Sequence, residues 1–190
     1  MIKNAEEIMQ TKTLFISAGH SDTDPGAVGN GHTEADIVLA FRDAVCDELD
    51  AKGIHYGSDG RRGVNLPLRQ AIDRAQHHDL AVEWHCNAFS DPSATGVETL
   101  SHDDDKQLGE ALCEAISDTL GIANRGAKGE ASGQHSRLGF VSRGGGIIVE
   151  LFFISNPNDI AAYFRHKQAL AQAVARVLID EVAPPRDDGE

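Results

Sequence analysis

Short apolar segments rich in β-branched residues alternate along the chain with stretches in which apolar residues recur at helical spacing. This pattern predicts strands at 13–17, 54–57, 80–85, 96–100 and 147–153, and helices at 34–52, 67–77, 104–120, 156–164 and 167–182. Strands that alternate with helices are typical of an α/β domain whose helices cover both faces of a mostly parallel sheet. We therefore expect a three-layer α/β sandwich.

Individual residues indicate where several of these elements begin or end and how they are buried. Thr33 is a plausible N-cap for the helix over 34–52, and Gly53 lies where a helix of this length commonly stops. The run Ile147–Phe153 has no polar alternation, which predicts a central strand covered on both faces. Residues 122–146 are rich in glycine and show no periodicity, so no element is predicted there.

Length and composition set the domain organisation and exclude some classes of protein. The 190 residues suffice for one domain, which we place at 13–183 between an extension at 1–12 and a flexible acidic tail at 184–190. Lys and Arg number 17 against 30 Asp and Glu, a net charge of −13 that disfavours nucleic acid as a partner. The three cysteines predict free thiols rather than a disulfide framework.

The sequence also shows neither a membrane-spanning segment nor a standard signal peptide. No apolar run approaches the roughly 20 residues that a membrane-spanning helix needs. The first twelve residues lack the apolar stretch of a standard signal peptide, so we expect synthesis in the cytoplasm without one. We also expect a monomer.

Glu150 is an acid inside the otherwise apolar run Ile147–Phe153. A buried carboxylate without a partner costs several kcal/mol, roughly, so something must compensate its charge. One interpretation is a structural ion pair with an arginine such as Arg69, and the other is a catalytic role. The residue alone favours neither.

Three further residues fall where an α/β sheet collects ligands, which is beyond the carboxyl ends of its strands. His20 follows the first strand, His85 ends the strand at 80–85, and Glu34 begins the first long helix. Two imidazoles and one carboxylate suit a catalytic zinc ion with one open position. Their spacing matches no compact zinc motif, however, and a single histidine at a strand end is more often structural.

Five ordered blocks of sequence resemble one family. Residues 16–37 read ISAGHSDTDPGAVGNGHTEADI. The further blocks are LR at 68–69 with DLAVEWHCNA at 79–88, GVET at 96–99, residues 125–128 with 138–140, and VELFFISNPND at 149–159. Together they resemble the zinc-dependent N-acetylmuramoyl-L-alanine amidases of the amidase-3 type. The resemblance covers about 14–182 and implies a phosphorylase/hydrolase-like α/β fold.

The resemblance also implies the roles of the site residues. His20, Glu34 and His85 would hold one Zn²⁺ per chain, and Glu150 would be the catalytic carboxylate. The substrate would be peptidoglycan, cleaved between the lactyl carboxyl of N-acetylmuramic acid and L-alanine. Phe152 departs from the family pattern, which usually has glycine there.

Several other residues are candidates for a supporting role. Glu83 stands where the family often has serine, and strand periodicity puts it on the same face as His85, so it either orients the site or is a solvated charge at the strand end. Asn87 and Lys128 are candidates for contacting substrate or the ligand residues. Cys86 should point away from His85, which argues against it as a metal ligand.

The biological role stays open among several hypotheses. A compact endolysin that acts on wall or periplasmic peptidoglycan after release agrees with the lack of an export signal and of a wall-binding module. The chain could also be the catalytic domain of a longer exported autolysin. A different zinc peptidase, such as a carboxypeptidase, and an inactive wall-binding domain are the remaining alternatives.

Overall fold

The computed structural model describes residues 10–132 and 138–183. The strands are β1 Leu14–Ala18, β2 Val28–Gly29, β3 His32–Thr33, β4 Tyr56–Ser58, β5 Leu80–Asn87, β6 Val97–Ser101, β7 Asn124–Gly129 and β8 Ile147–Phe153. The helices are α1 Glu34–Ala51, α2 Leu68–Ala75, α3 Lys106–Leu120, α4 Gly139–Ser142 and α5 Pro157–Val182. The predicted tail at 184–190 and most of the extension lie outside the described residues.

A six-stranded mixed sheet forms the middle layer, in the order β4-β1-β5-β8-β6-β7. All neighbouring strands are parallel except β6 and β8, which pair antiparallel. β8 lies inside the sheet, as its unbroken apolar run predicts. Strands β2 and β3 form a separate two-stranded hairpin that leads into α1.

The helices cover the two faces of the sheet unequally. The large core packs α1, α3 and α5 against one face and includes the buried Trp84, Phe41 and Phe152. The smaller core packs α2 and α4 on the other face around Phe15 and Phe140. The predicted three-layer α/β sandwich is confirmed, and the thinner helical layer leaves part of the second face available for a groove.

Three predicted boundaries need correction. Helices predicted at 156–164 and 167–182 are one continuous helix, α5, because no glycine or proline interrupts it and its polar middle section is simply exposed. Asn156 caps this helix by accepting hydrogen bonds from the Asn158 and Asp159 amides. Strand β7 and helix α4 lie in the segment for which no element was predicted. The sequence of β7, NRGAKG, has little strand propensity, and its pairing with β6 holds it extended.

Other local predictions are confirmed. The Thr33 hydroxyl accepts from the Asp36 amide and caps α1, and Gly53, with φ of 71°, follows the end of this helix. The three cysteines are buried and free. None of the described helices is both long enough and apolar enough to cross a bilayer.

Candidate active site

Three chain segments bring His20, Glu34 and His85 together. His20 follows β1, Glu34 begins α1, and His85 lies near the end of β5, next to β1 in the sheet. Glu34 Oε1 is 3.3 Å from His20 Nε2 and 3.0 Å from His85 Nδ1. One potential ligand atom from each residue lies within 4.8 Å of the others, so the three could hold a metal ion.

The Glu34 carboxylate is held in place by the main chain. Its Oε2 accepts a hydrogen bond from the Ala27 amide at 2.9 Å, and its Oε1 accepts one from the Cys86 amide at 2.8 Å. The side chain is only 5% exposed. Burial is the largest influence on the Glu34 pKa and raises it, but the hydrogen bonds from both histidines and Ala27 outweigh burial and lower the pKa. Glu34 is therefore an ionised carboxylate, the form that binds a metal.

A second carboxylate lies behind His85. Glu83 Oε1 is 3.1 Å from His85 Nε2, and Glu83 is 2% exposed. The two side chains share a face of β5, as strand periodicity predicts, and the interpretation of Glu83 as a solvated charge is wrong. A carboxylate on the second ring nitrogen fixes the imidazole orientation, an arrangement common behind metal-binding histidines.

The electrostatics of the cluster favour a cation. Burial is the largest influence on the pKa of both histidines and lowers it, yet Glu34, and Glu83 for His85, raise each pKa above its ordinary value. His20 Nδ1 also lies 3.2 Å from Asp24 Oδ2. A cluster that draws protons onto two half-buried imidazoles also favours a metal ion in place of those protons. The donor set therefore fits the predicted metal site.

Glu150 extends from β8 beside this cluster, because its strand position is in register with His85 on β5. Its Oε2 atom is buried and has no hydrogen-bond partner among the described residues. Burial, followed by the negative charges of Glu34 and Glu98, raises the Glu150 pKa to about 7, although His85 and His20 act to lower it. An acid with a pKa raised in this way, next to a possible metal site, is suited to proton transfer.

The predicted ion pair between Arg69 and Glu150 is wrong for the described residues. Arg69 lies in α2, is exposed, and forms no ion pair with any residue in the described ranges. Arg42, by contrast, is fully buried and binds Asp59 at 3.0 Å. Glu150 therefore has no arginine partner there, and this removes the structural explanation for its burial.

A network missed by the sequence reasoning supports the loop that carries His20. Asn65 Nδ2 donates to the Ala18 and His20 carbonyl oxygens at 2.9 and 2.8 Å. Its Oδ1 accepts from Arg42 at 3.2 Å. Asp59 accepts from Arg42 and Ser17, and the Ser17 hydroxyl also lies 3.1 Å from Glu83. These residues come from loops and strands far apart in sequence, and no local motif marks them.

A groove of about 760 Å³ opens along the cluster and Glu150. On its wall, the buried Glu98 accepts from Arg125 Nε at 2.5 Å, Lys128 Nζ at 2.7 Å and Asn87 Nδ2 at 3.2 Å. Asn87 and Lys128, predicted to contact substrate or the ligand residues, thus meet at Glu98. The sequence reasoning missed Glu98 and Arg125. Glu98 is an acidic residue inside the strand Val97–Ser101, just as Glu150 is inside β8. The same criterion could therefore have identified Glu98 from the sequence.

This fold, with a possible metal site at His20, Glu34 and His85, agrees with a class of hydrolases built on an α/β sheet. Residues 14–180 match the model of the amidase-3 family, described as N-acetylmuramoyl-L-alanine amidase. The match covers most of the chain, and the protein belongs to this family of enzymes.

Individual relatives agree with the family assignment. Uncharacterized protein YqiI of Bacillus subtilis is 31% identical over 164 residues, which are 82% of this chain and 76% of YqiI. The N-acetylmuramoyl-L-alanine amidase LytC of Bacillus subtilis is 29% identical over 174 residues, which are 86% of this chain and only 34% of LytC. A crystal structure assigned as an N-acetylmuramoyl-L-alanine amidase from Neisseria meningitidis has a TM-score of 0.82 and 37% identity, covering 90% of this chain and 95% of that one.

Proposed function

We propose that this protein is a zinc-dependent amidase that cleaves peptidoglycan between the lactyl carboxyl of N-acetylmuramic acid and L-alanine. The observation that carries the proposal is the convergence of His20, Glu34 and His85 within 4.8 Å, beside the unpartnered Oε2 of Glu150. The family match supports the identity of the bond.

The donor set supports zinc over the common alkaline-earth ions. Two imidazoles and one carboxylate are typical of catalytic zinc sites, whereas Ca²⁺ and Mg²⁺ prefer oxygen ligands. His20, Glu34 and His85 would hold one Zn²⁺ per chain. When bound, zinc makes water more acidic and polarises the scissile carbonyl.

Glu150 supplies the proton transfers in this proposal. Its carboxylate takes a proton from the attacking water as the water oxygen bonds to the lactyl carbonyl carbon. It then returns that proton to the alanine nitrogen as the C–N bond breaks. The immediate products are a lactyl carboxylic acid on the sugar and an L-alanine amine on the peptide, and transfer of the remaining water proton from acid to amine gives carboxylate and ammonium, so atoms and charges balance.

The surrounding groups prepare Glu150 for this role. In the metal-free site, burial raises its pKa to about 7, so the protein surroundings favour a carboxyl that can hold a proton. Glu83 holds the His85 ring, and Asn65 holds the loop backbone at His20. The site geometry therefore exists before substrate enters, which lowers the cost of organising it during the reaction.

Mass spectrometry of digested peptidoglycan tests the function directly. We expect the wild-type protein to release peptides with a new L-alanine amino terminus and to leave the glycan chains intact, with one zinc per chain by elemental analysis. Glu150→Gln should keep the zinc and lose at least about a thousandfold in kcat, since it cannot carry the proton. His85→Ala should lose both zinc and activity.

The alternatives give different results in the same assay. A carboxypeptidase would release free terminal amino acids, and an inactive wall-binding domain would bind sacculi without releasing any peptide. Near-normal hydrolysis by Glu150→Gln would contradict the mechanism, even if the bond cleaved is the one proposed.

The lysis role is a separate part of the proposal. An endolysin would accumulate in the cytoplasm of the producing cell and reach the wall or periplasmic peptidoglycan at lysis, whereas an exported autolysin would be found in the envelope beforehand. Fractionation of the native host before lysis, with antibodies against this chain, distinguishes the two. An envelope pool in growing cells would contradict the endolysin role.

A further inference from the structure

Arg125 lines the same groove as Glu150 and the three metal-site residues. It lies on β7, at the edge of the sheet, and its side chain is 39% exposed. The mechanism proposed above makes no use of this cation. Its position on the wall of the groove raises the question of which part of a substrate it would meet.

The charges around Arg125 are not balanced. Glu98 is the carboxylate that binds both Arg125 and Lys128, and its side chain is 7% exposed. One carboxylate thus binds two cations, Arg125 on the groove wall and Lys128 beside it, so Glu98 alone does not neutralise both positive charges. In a chain of net charge −13, a positive patch inside the candidate substrate groove favours an anionic ligand group there.

The guanidinium of Arg125 is also held in a defined orientation. Its Nε atom donates to Glu98 Oε2, and its planar head lies 5.0 Å from the centre of the Phe153 ring. Its two terminal nitrogens make no hydrogen bond with any residue in the described ranges. A fixed guanidinium with free terminal N–H groups is suited to bind a carboxylate through two parallel hydrogen bonds.

The distance from the reacting centre restricts which carboxylate this can be. β7 is two strands away from β8, so Arg125 begins about 10 Å from the strand of Glu150, given a strand spacing of about 4.8 Å. An extended peptide covers that distance in about three residues. The carboxyl group of muramic acid forms the scissile amide, so the sugar has no free carboxylate near this bond. The carboxylate that Arg125 binds must then belong to the peptide.

We infer that Arg125, held by Glu98 and Phe153, binds a carboxylate of the stem peptide within about three residues of the scissile amide. This inference rests on the proposed function and specifies its substrate class as stems that keep a free carboxylate near their amino end. Lys128 adds positive charge to the same position. Arg125 would thus determine specificity without touching the reacting atoms.

The test uses two soluble muropeptides that differ at one group. In one, the second stem residue is D-glutamate with a free α-carboxylate, and in the other this carboxylate is an amide. We expect the wild-type KM for the carboxylate form to be about tenfold or more lower. Arg125→Gln should raise that KM about tenfold or more, leave kcat within about twofold and abolish the preference between the two forms.

Two further variants control for charge and for folding. Arg176→Gln removes the same charge from the exposed side of α5 and should preserve the preference. Arg125→Lys keeps the positive charge but lacks the paired N–H donors of a guanidinium, so it should weaken the preference. This variant tests the donor geometry if Arg125→Gln is poorly folded. Equal KM values for both muropeptides in the wild type, a preference that survives in a folded Arg125→Gln, or an undiminished preference in Arg125→Lys would overturn the inference.

Binding measurements separate this inference from the proposed function. Calorimetric titration of the released stem peptides, free acid and amide, reports the carboxylate contact without turnover. If the wild-type protein binds the acid more tightly and Arg125→Gln does not, the inference is supported even if no amide bond is cleaved. Failure to cleave either muropeptide would contradict the proposed function alone, whereas equal binding of acid and amide would contradict the subsite alone.

Discussion

Glu98 and Glu150 lie directly opposite each other on the antiparallel strands β6 and β8. Their environments shift the two carboxyl pKa values in opposite directions. Burial is the largest influence on Glu98 and raises its pKa, but Lys128 and Arg125 outweigh burial and lower it. Glu150 has neither cation, and burial raises its pKa to about 7. The proton of this facing pair therefore resides on Glu150, the carboxyl beside the metal-site residues.

The pH dependence of stability should reveal this shift in the metal-free protein. The Glu150 pKa of about 7 in the folded chain exceeds its ordinary value of 4.5. The folded state therefore binds more protons between these values, and stability falls as pH rises through the window from 4.5 to 7. Glu150→Gln removes this loss and should be more stable than the wild type at pH 8, by about 3 kcal/mol.

Urea unfolding in the presence of a chelator, at intervals from pH 5 to pH 8, measures this difference. The two proteins should converge toward pH 5, where the wild-type carboxyl is protonated. Curves that keep a constant separation across the range would show that Glu150 does not titrate in this window.

Metal affinity should depend on Glu83. Glu83→Gln keeps the size of the side chain and removes the charge that faces His85 Nε2. We expect the affinity for zinc to fall about 10- to 100-fold, since carboxylates behind metal-binding histidines commonly have effects of this size. Turnover at saturating zinc should stay close to that of the wild type, because Glu83 lies behind the ring.

Competition with a chromogenic chelator measures this affinity. Asp73→Asn, an exposed change of the same charge on α2, is the matched control and should leave zinc binding unaltered. Unchanged affinity in Glu83→Gln would mean that the contact with His85 does not organise the site.

The sequence predicts the candidate metal-site residues and Glu150 from their positions in the predicted elements together with the family resemblance. His20 and His85 lie near strand ends that the apolar pattern locates, and Glu150 interrupts an unbroken apolar run. The sheet brings these positions together through parallel pairing, which places strand ends at one edge. The family resemblance then assigns their roles.

The rest of the site depends on contacts that no local pattern encodes. β7 is extended because it pairs with β6, so its sequence gave no reason to place Arg125 in a groove wall. Asn65 and Asp59 lie in the loop after β4 and act through partners far away in sequence. The continuous α5 was predicted as two helices because exposed polar residues interrupt its apolar stripe.

The buried ion pair between Arg42 and Asp59 should be important for stability. Both side chains are fully buried and their charged atoms lie 3.0 Å apart. Asp59→Ala leaves the Arg42 guanidinium without this partner and should lower the free energy of unfolding by about 3 kcal/mol or more. Asp47→Ala removes a carboxylate that pairs with Arg61 but is 71% exposed, and should cost less than about 1 kcal/mol. Equal losses in the two variants, measured by denaturant unfolding, would contradict a special role for the buried pair.

Gly19 should be intolerant of any side chain because of its contact with His85. A Cβ at this position would lie 2.0 Å from Cε1 and 2.1 Å from Nε2 of the His85 ring. The ring has little freedom to move, since Glu34 and Glu83 hold its two nitrogens. Gly19→Ala should therefore displace His85 and lower zinc affinity by about 100-fold or more, with overpacking costing about 1–3 kcal/mol of stability.

Gly129→Ala is the matched control, because a Cβ at Gly129 meets no atom within 4 Å. It should leave zinc affinity within about twofold of the wild type, since a methyl group in open space displaces no ligand. Zinc titration and thermal unfolding on both variants distinguish a local displacement from general destabilisation. A folded Gly19→Ala protein with wild-type zinc affinity would show that the His85 ring can leave its observed position without weakening the site, and that its contacts with Glu34 and Glu83 do not fix it.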